Sequence, residues 1–222
     1  MKWLYKLEYR FGKYYIHNLM TIVVIGMAAV YIFDMAAANA GFSMSNLLSL
    51  ERSAILSGQV WRVLTFVFVP TTSGAFWMLI ACYFYYMIGK GLENAWGGFR
   101  MNVYYLMGML GAIASCFIIG YGTNVYLNLS LFLAFATVAP DTTFMLFFIL
   151  PVKAKWMALA YAAFLVIQLL FTFIGNPMLG LISLVSLGFS LLNYFIFFGG
   201  TMFRNLKEQI RISQNRRNWR NR

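Results

Sequence analysis

Histidine is almost missing: of 222 residues only His17 is one. Chemistry that pairs a nucleophile with an imidazole base has a single residue to draw on, and no metal or nucleotide motif occurs. Charge is scarce too. Asp, Glu, Lys and Arg make up 10% of the chain, against roughly 25% in soluble domains, which excludes an ordinary soluble fold. The two cysteines, Cys82 and Cys116, both lie in apolar runs, where cysteine acts as a small hydrophobe and gives no disulfide framework. The short alternating segments of a β-barrel are absent, the apolar runs being long and continuous.

What is present is oil: 62% of residues are hydrophobic and 19% aromatic. A hydrocarbon core about 30 Å thick asks for about 20 apolar residues per helix. The pattern predicts an all-α membrane protein with six spans, at residues about 16–38, 65–89, 101–119, 126–139, 156–174 and 178–198. Together they form a transmembrane domain over 1–203, followed by a basic tail over 204–222. The stretch MKWLYKLEYRFGKYY leads into the first run without a small-residue cleavage site, so that run reads as an uncleaved span. Residues 39–59 form a substantial polar loop at the membrane surface. The fourth span is too short to cross alone, so one end sits below the surface, wrapped by protein or water rather than lipid.

The net charge of +11 is explained by its distribution. With six spans and both termini cytoplasmic, every Lys and Arg except Arg52 and Arg62 falls on the inner side, as the positive-inside tendency requires. Lys2, Lys6, Arg10 and Lys13 precede the first span. Lys90 and Arg100 flank the second turn, and Lys153 and Lys155 precede the fifth span. The tail then reads as a contact for anionic headgroups, worth about 1 kcal/mol per basic residue, and no nucleic-acid partner is expected. The localisation expected is the plasma membrane, and the bilayer itself is the first partner.

Among the polar residues, Asn128 and Asn193 are expected to hydrogen-bond between helices. Asp34 is a functional candidate by its membrane position, with an ion pair to Arg52 or Arg62 as the structural expectation. Trp61 and Arg62 sit at an outer interface, where the indole sets depth and the guanidinium binds headgroups or loop carbonyls. Glu93 and Arg100 are expected to pin the inner turn after the second span. Ser130 reads as a small packing residue.

The segment GQVWRVLT, containing Trp61 and Arg62, resembles the tryptophan-arginine motif in the first outer loop of the rhomboid superfamily. YFYYMIGKGLENAWGGFRMNVYYLMGMLG resembles the rhomboid and Derlin pattern through Gly89, Leu92, Glu93, Gly97, Gly98, Arg100, Tyr104, Tyr105 and Gly108. FFILPVKAKW is similar to the segment before the fifth helix of microbial rhomboids. The resemblance implies a six-helix rhomboid-like bundle. In active members a serine in a Gly-x-Ser-Gly setting opens the fourth helix, a histidine on the sixth is its base, and a histidine and an asparagine on the second stabilise the oxyanion. This chain departs at each place. Trp77 and Ala81 occupy the oxyanion positions, and the serine position falls on Val125, Asn128 or Ser130 depending on the alignment. The sixth span holds no histidine.

His17 begins the first span on the inner side, and Lys90, Lys153 and Lys155 also lie there, away from an outer-leaflet alcohol that needs a base within about 2.6 to 3.2 Å. The expectation is a pseudoprotease without cofactor or metal. It would bind or chaperone transmembrane client helices that enter between the second and fifth spans, with Trp61, Arg62, Glu93 and Arg100 as supporting residues. Local bilayer thinning by short helices would assist. Two alternatives stay open: a rhomboid-family protease using Ser130 with a non-standard base, and a small membrane transporter.

Overall fold

The computed structural model describes residues 2–146 and 150–220. Phe147, Phe148 and Ile149 of FFILPVKAKW, and Asn221 and Arg222 of the tail, lie outside the described residues. The chain is mainly helical. Among the described residues five helices are long and apolar enough to cross a membrane, which makes this a multi-pass membrane protein.

Helix α1 (Lys2–Phe11) precedes the first long helix, α2 (Leu19–Ala37). The polar segment that follows is ordered by local structure: α3 (Met44–Leu48), β1 (Leu50–Glu51), α4 (Arg52–Leu56), α5 (Arg62–Thr65) and a 3-10 turn at Phe66–Phe68. β1 pairs antiparallel with β2 (Tyr121–Gly122), Leu50 opposite Gly122, and the Arg52 guanidinium donates to the Phe117 carbonyl at 3.0 Å. These bonds clip the loop to the end of α7 (Gly98–Ile119).

The second long helix, α6 (Ala75–Trp96), starts later than the apolar run suggests and ends later. The sequence VLTFVFVP is apolar, but Pro70 has no amide hydrogen to donate and residues 69–74 are not helical, so the helix waits until Ala75. At its other end it continues past Gly89, because Lys90 and Glu93 have partners: Lys90 Nζ donates to Asn18 Oδ1 at 2.6 Å, and Glu93 accepts from the Asn18 backbone N–H at 3.3 Å. Gly97, at φ 87°, makes the turn into α7 in a backbone region that disfavours side chains.

Helix α8 (Val125–Val138) has only 14 residues, about 21 Å of rise, and is surrounded by α6, α7, α9 (Ala154–Gly175) and α10 (Pro177–Arg220). Between α8 and α9 the chain forms a β-hairpin, β3 (Thr143–Leu146) with β4 (Leu150–Lys153), Thr143 opposite Lys153, which an all-α reading does not include. Asn176 and Pro177 begin α10. The Asn176 side chain accepts from the N–H groups of Met178 and Leu179 at 3.1 and 3.2 Å, and the proline occupies the position where a missing N–H costs nothing. Residues 177–199 of α10 are the membrane-length part, and the helix runs on without a break into the tail. The bundle thus has a loop face (residues 38–74 and 120–124) and a termini face carrying α1, the α6–α7 turn and the hairpin.

Candidate functional site

The candidate site grows from α8, whose two sides differ. Toward α7 and α10, Ser130 is fully buried. Its hydroxyl meets the Tyr104 hydroxyl at 2.5 Å, and its carbonyl also accepts from that phenol at 2.9 Å. Asn193 of α10 completes the knot, its Nδ2 donating to the Tyr104 carbonyl at 3.3 Å and reaching Ser130 Oγ at 3.5 Å. Beside it a void of about 10 Å³, lined in part by Ser115, Ser130 and Ser186, is at the lower limit for one water molecule. The partners that touch Ser130 are a phenol and an amide. These bonds tie α7, α8 and α10 together through side chains that are neutral in water at pH 7.

The other side of α8 opens sideways. α6 and α9 each pack along α8 and make little contact with each other, leaving a cleft of ≈ 270 Å³ between them. Ala81, Phe84 and Tyr85 come from α6, Met157 and Tyr161 from α9, and Asn128 and Phe132 form the floor. Asn128 is 4% exposed. The Tyr85 hydroxyl lies within hydrogen-bond reach of the Thr71 hydroxyl, at 3.4 Å, and of the Asn128 side chain, yet Asn128 Nδ2 has no partner among the described residues. An amide has two N–H donors, and leaving them unmet in a dry setting is costly. The floor of the cleft therefore holds a buried amide donor that lacks a partner among the described residues. Its end toward the termini face is closed by Phe144 of β3, fully buried, with ring centroids 5.3 Å from Phe84, 5.5 Å from Phe135 and 6.5 Å from Phe132. Beyond that plug, Lys153 and Lys155 hold the Asp141 carboxyl below the usual carboxylate range through hydrogen bonds at 3.1 and 3.4 Å.

The residues singled out in the sequence fall in different places. Arg62 is 6% exposed and serves the loop: Nε donates to Gln59 Oε1 at 2.7 Å, and Nη1 to the carbonyls of Asn46 and Ser49 at 2.7 and 2.8 Å. Trp61, beside it, is half exposed on the loop surface. Asp34 pairs with neither Arg52 nor Arg62. Its carboxylate accepts from the N–H groups of Met44, at 2.5 Å, and Ser45, and from the Ser45 hydroxyl, so it satisfies the orphan donors at the start of α3. Glu93 and Arg100 also part company. Glu93 holds Asn18, while Arg100 pairs with Glu8 of α1 at 2.7 Å and lies over the Tyr5 ring at 4.9 Å. Both fasten the N-terminal segment to the α6–α7 turn.

Of the two positions that the resemblance assigns to an oxyanion site, Trp77 is largely exposed and Ala81 lines the cleft. Of the three candidates for the serine position, Asn128 lies in the cleft and Ser130 behind it, while Val125 is the first residue of α8. His17 is exposed, its ring tilted against that of Tyr15 with centroids 4.2 Å apart.

Two residues with a part in the site carry no obvious sequence signal. Phe144 stands in a connecting segment where an aromatic means little until the hairpin is seen. Asn124, 4% exposed, donates from Nδ2 to the Val69 carbonyl at 2.8 Å and reaches those of Phe66 and Val67 at 3.4 and 3.3 Å, fixing the loop over the start of α8. An asparagine at a helix start was its only signal. Among the described residues no group of three or more His, Cys, Asp or Glu side chains converges. Comparison with protein-family models, with curated proteins and with solved structures finds no match for this chain.

Proposed function

We propose that this protein is a catalytically inactive, rhomboid-like membrane protein that holds transmembrane client helices in the cleft between α6 and α9. The observation that carries the reading is Asn128: a buried amide with an unmet donor on the floor of a crevice that opens toward lipid. A client helix with a side-chain acceptor, or with a carbonyl freed by a break in its own ladder, supplies what that donor lacks. The short α8 favours a thinned bilayer around the crevice, which biases clients by fractions of a kcal/mol per ångström of mismatch. The Ser130 surroundings support binding without hydrolysis, since its partners are Tyr104 and Asn193. In this reading the host is the plasma membrane and both termini lie in the cytoplasm, an orientation that the placing of the basic residues supports.

The test uses the purified protein in vesicles, with a photoreactive amino acid at Met157 and two synthetic membrane helices, one all-leucine and one with a central glutamine. The glutamine helix is captured preferentially, and Asn128→Leu reduces that preference about threefold, the size of an average interhelical hydrogen bond in a membrane. Equal capture of both helices ends the client reading. Labelling by a serine-directed fluorophosphonate that disappears in Ser130→Ala ends the non-catalytic part.

A further inference from the structure

A second crevice lies between α2 and α7, which make little contact with each other. Its volume is ≈ 640 Å³, and its walls include Val23 and Met109. Phe68, whose ring lies against Gly26, closes it toward the loop face, and Tyr14 and Tyr15 frame it toward the termini face. Along α7 the trough runs from Asn102 to Met109, about 10 Å at the helical rise. Leu106, on its lip, is exposed. Tyr105, on its wall, has a buried hydroxyl without a partner among the described residues.

On the flank of a membrane-spanning protein such a trough faces acyl chains, and charge at its mouth selects among them. Arg10 and Lys13, just before Tyr14, are exposed and have no carboxylate partner among the described residues. The nearby acids are engaged, Glu8 by Arg100 and Glu93 by the Asn18 N–H.

We propose that this groove is a binding site for an anionic phospholipid, with one acyl chain in the trough between Val23 and Met109 and the phosphate at Arg10 and Lys13. The chain leaves surroundings as apolar as those it enters, so hydrophobic transfer does not select it. Selection comes from the fixed trough and from the two cations, Arg10 and Lys13. The site is independent of the client cleft and does not rest on it.

The experiment places the full chain in phosphatidylcholine vesicles with a minor fraction of phosphatidylglycerol and a trace of phosphatidylglycerol bearing a diazirine in its acyl chain. After irradiation, adducts are mapped by peptide mass spectrometry. Adducts concentrate on the segments holding Val23 and Leu106–Met109, above those at Phe164 and Phe171, which are exposed on α9. Unlabelled phosphatidylglycerol competes for the groove and phosphatidylcholine does not. Arg10→Gln and Lys13→Gln each lower groove labelling about fivefold and leave labelling of α9 unchanged. Even labelling of all flanks, indifference to headgroup, or cross-links from the groove to a second copy of the chain overturns the proposal, and the unsubstituted protein alone decides the first two.

Discussion

Asn128 and Ser130 are two residues apart on α8, and a helix turns them to different sides. Ser130 faces a knot in which hydroxyl meets hydroxyl and an amide from α10 completes the set. Asn128 faces a cleft and keeps a donor unmet. Both are polar groups in a helix of membrane-buried character, so polarity alone does not assign a role. The difference is closure: one side of α8 ends in protein, the other in a crevice between two helices that stand apart.

The contrast is broken most severely by removing what bounds the open side. Phe144→Ala takes the plug from the end of the cleft and costs about 3 kcal/mol, measured by denaturant titration of the reconstituted protein. Next comes the closed side. A side chain at Gly108 would run into Leu127 and come within 3.0 Å of Asn193 Nδ2, so Gly108→Val costs about 2 kcal/mol by overpacking in the same assay. The sharper comparison is of size. Each amide has one unmet atom, Asn128 Nδ2 and Asn193 Oδ1, but Asn193 Nδ2 ties α10 to both Tyr104 and Ser130, so Asn193→Leu destabilises by about 0.6 kcal/mol, whereas Asn128→Leu gives up only its contact with Tyr85 along with the unmet donor and changes stability by less than that. Equal losses at the two positions would mean that the two sides of α8 are alike.

The smallest effect concerns pH at the hairpin. Because its carboxyl is held down by Lys153 and Lys155, Asp141 contributes stability that is present above its unfolded pKa and is lost as pH falls through the lower folded value. A shallow loss of melting temperature between about pH 5 and pH 3, flattened in Asp141→Asn and weakened by salt, is the expected result.

The long helices were legible because an apolar run of membrane length has few other uses, and the short α8 was legible for the same reason in reverse. Their ends were harder to read. Hydropathy did not distinguish the short α5 and the non-helical segment around Pro70 from the helix that follows, and the charges at Lys90 and Glu93 suggested an end where the helix instead gains partners from Asn18. Partner identity was least legible. Asp34 found backbone N–H groups close in the chain rather than a distant guanidinium, and the partner of Arg100 at the inner turn, Glu8, stands 92 positions away, where no local pattern points to it. The cleft between the second and fifth long segments was an expectation of the resemblance. That Asn128 would be its floor depended on the rotation of α8, which a helix apolar on nearly every side does not reveal.

Helix α10 continues to Arg220 without interruption, so the residues beyond Gly199 add about 30 Å of helix. Its other half is wedged against α7, α8 and α9. A pull or twist applied at the distant tip is therefore delivered to the wedge, and through it to α9, one of the two helices that bound the crevice, so that the tail has the mechanics of a crank.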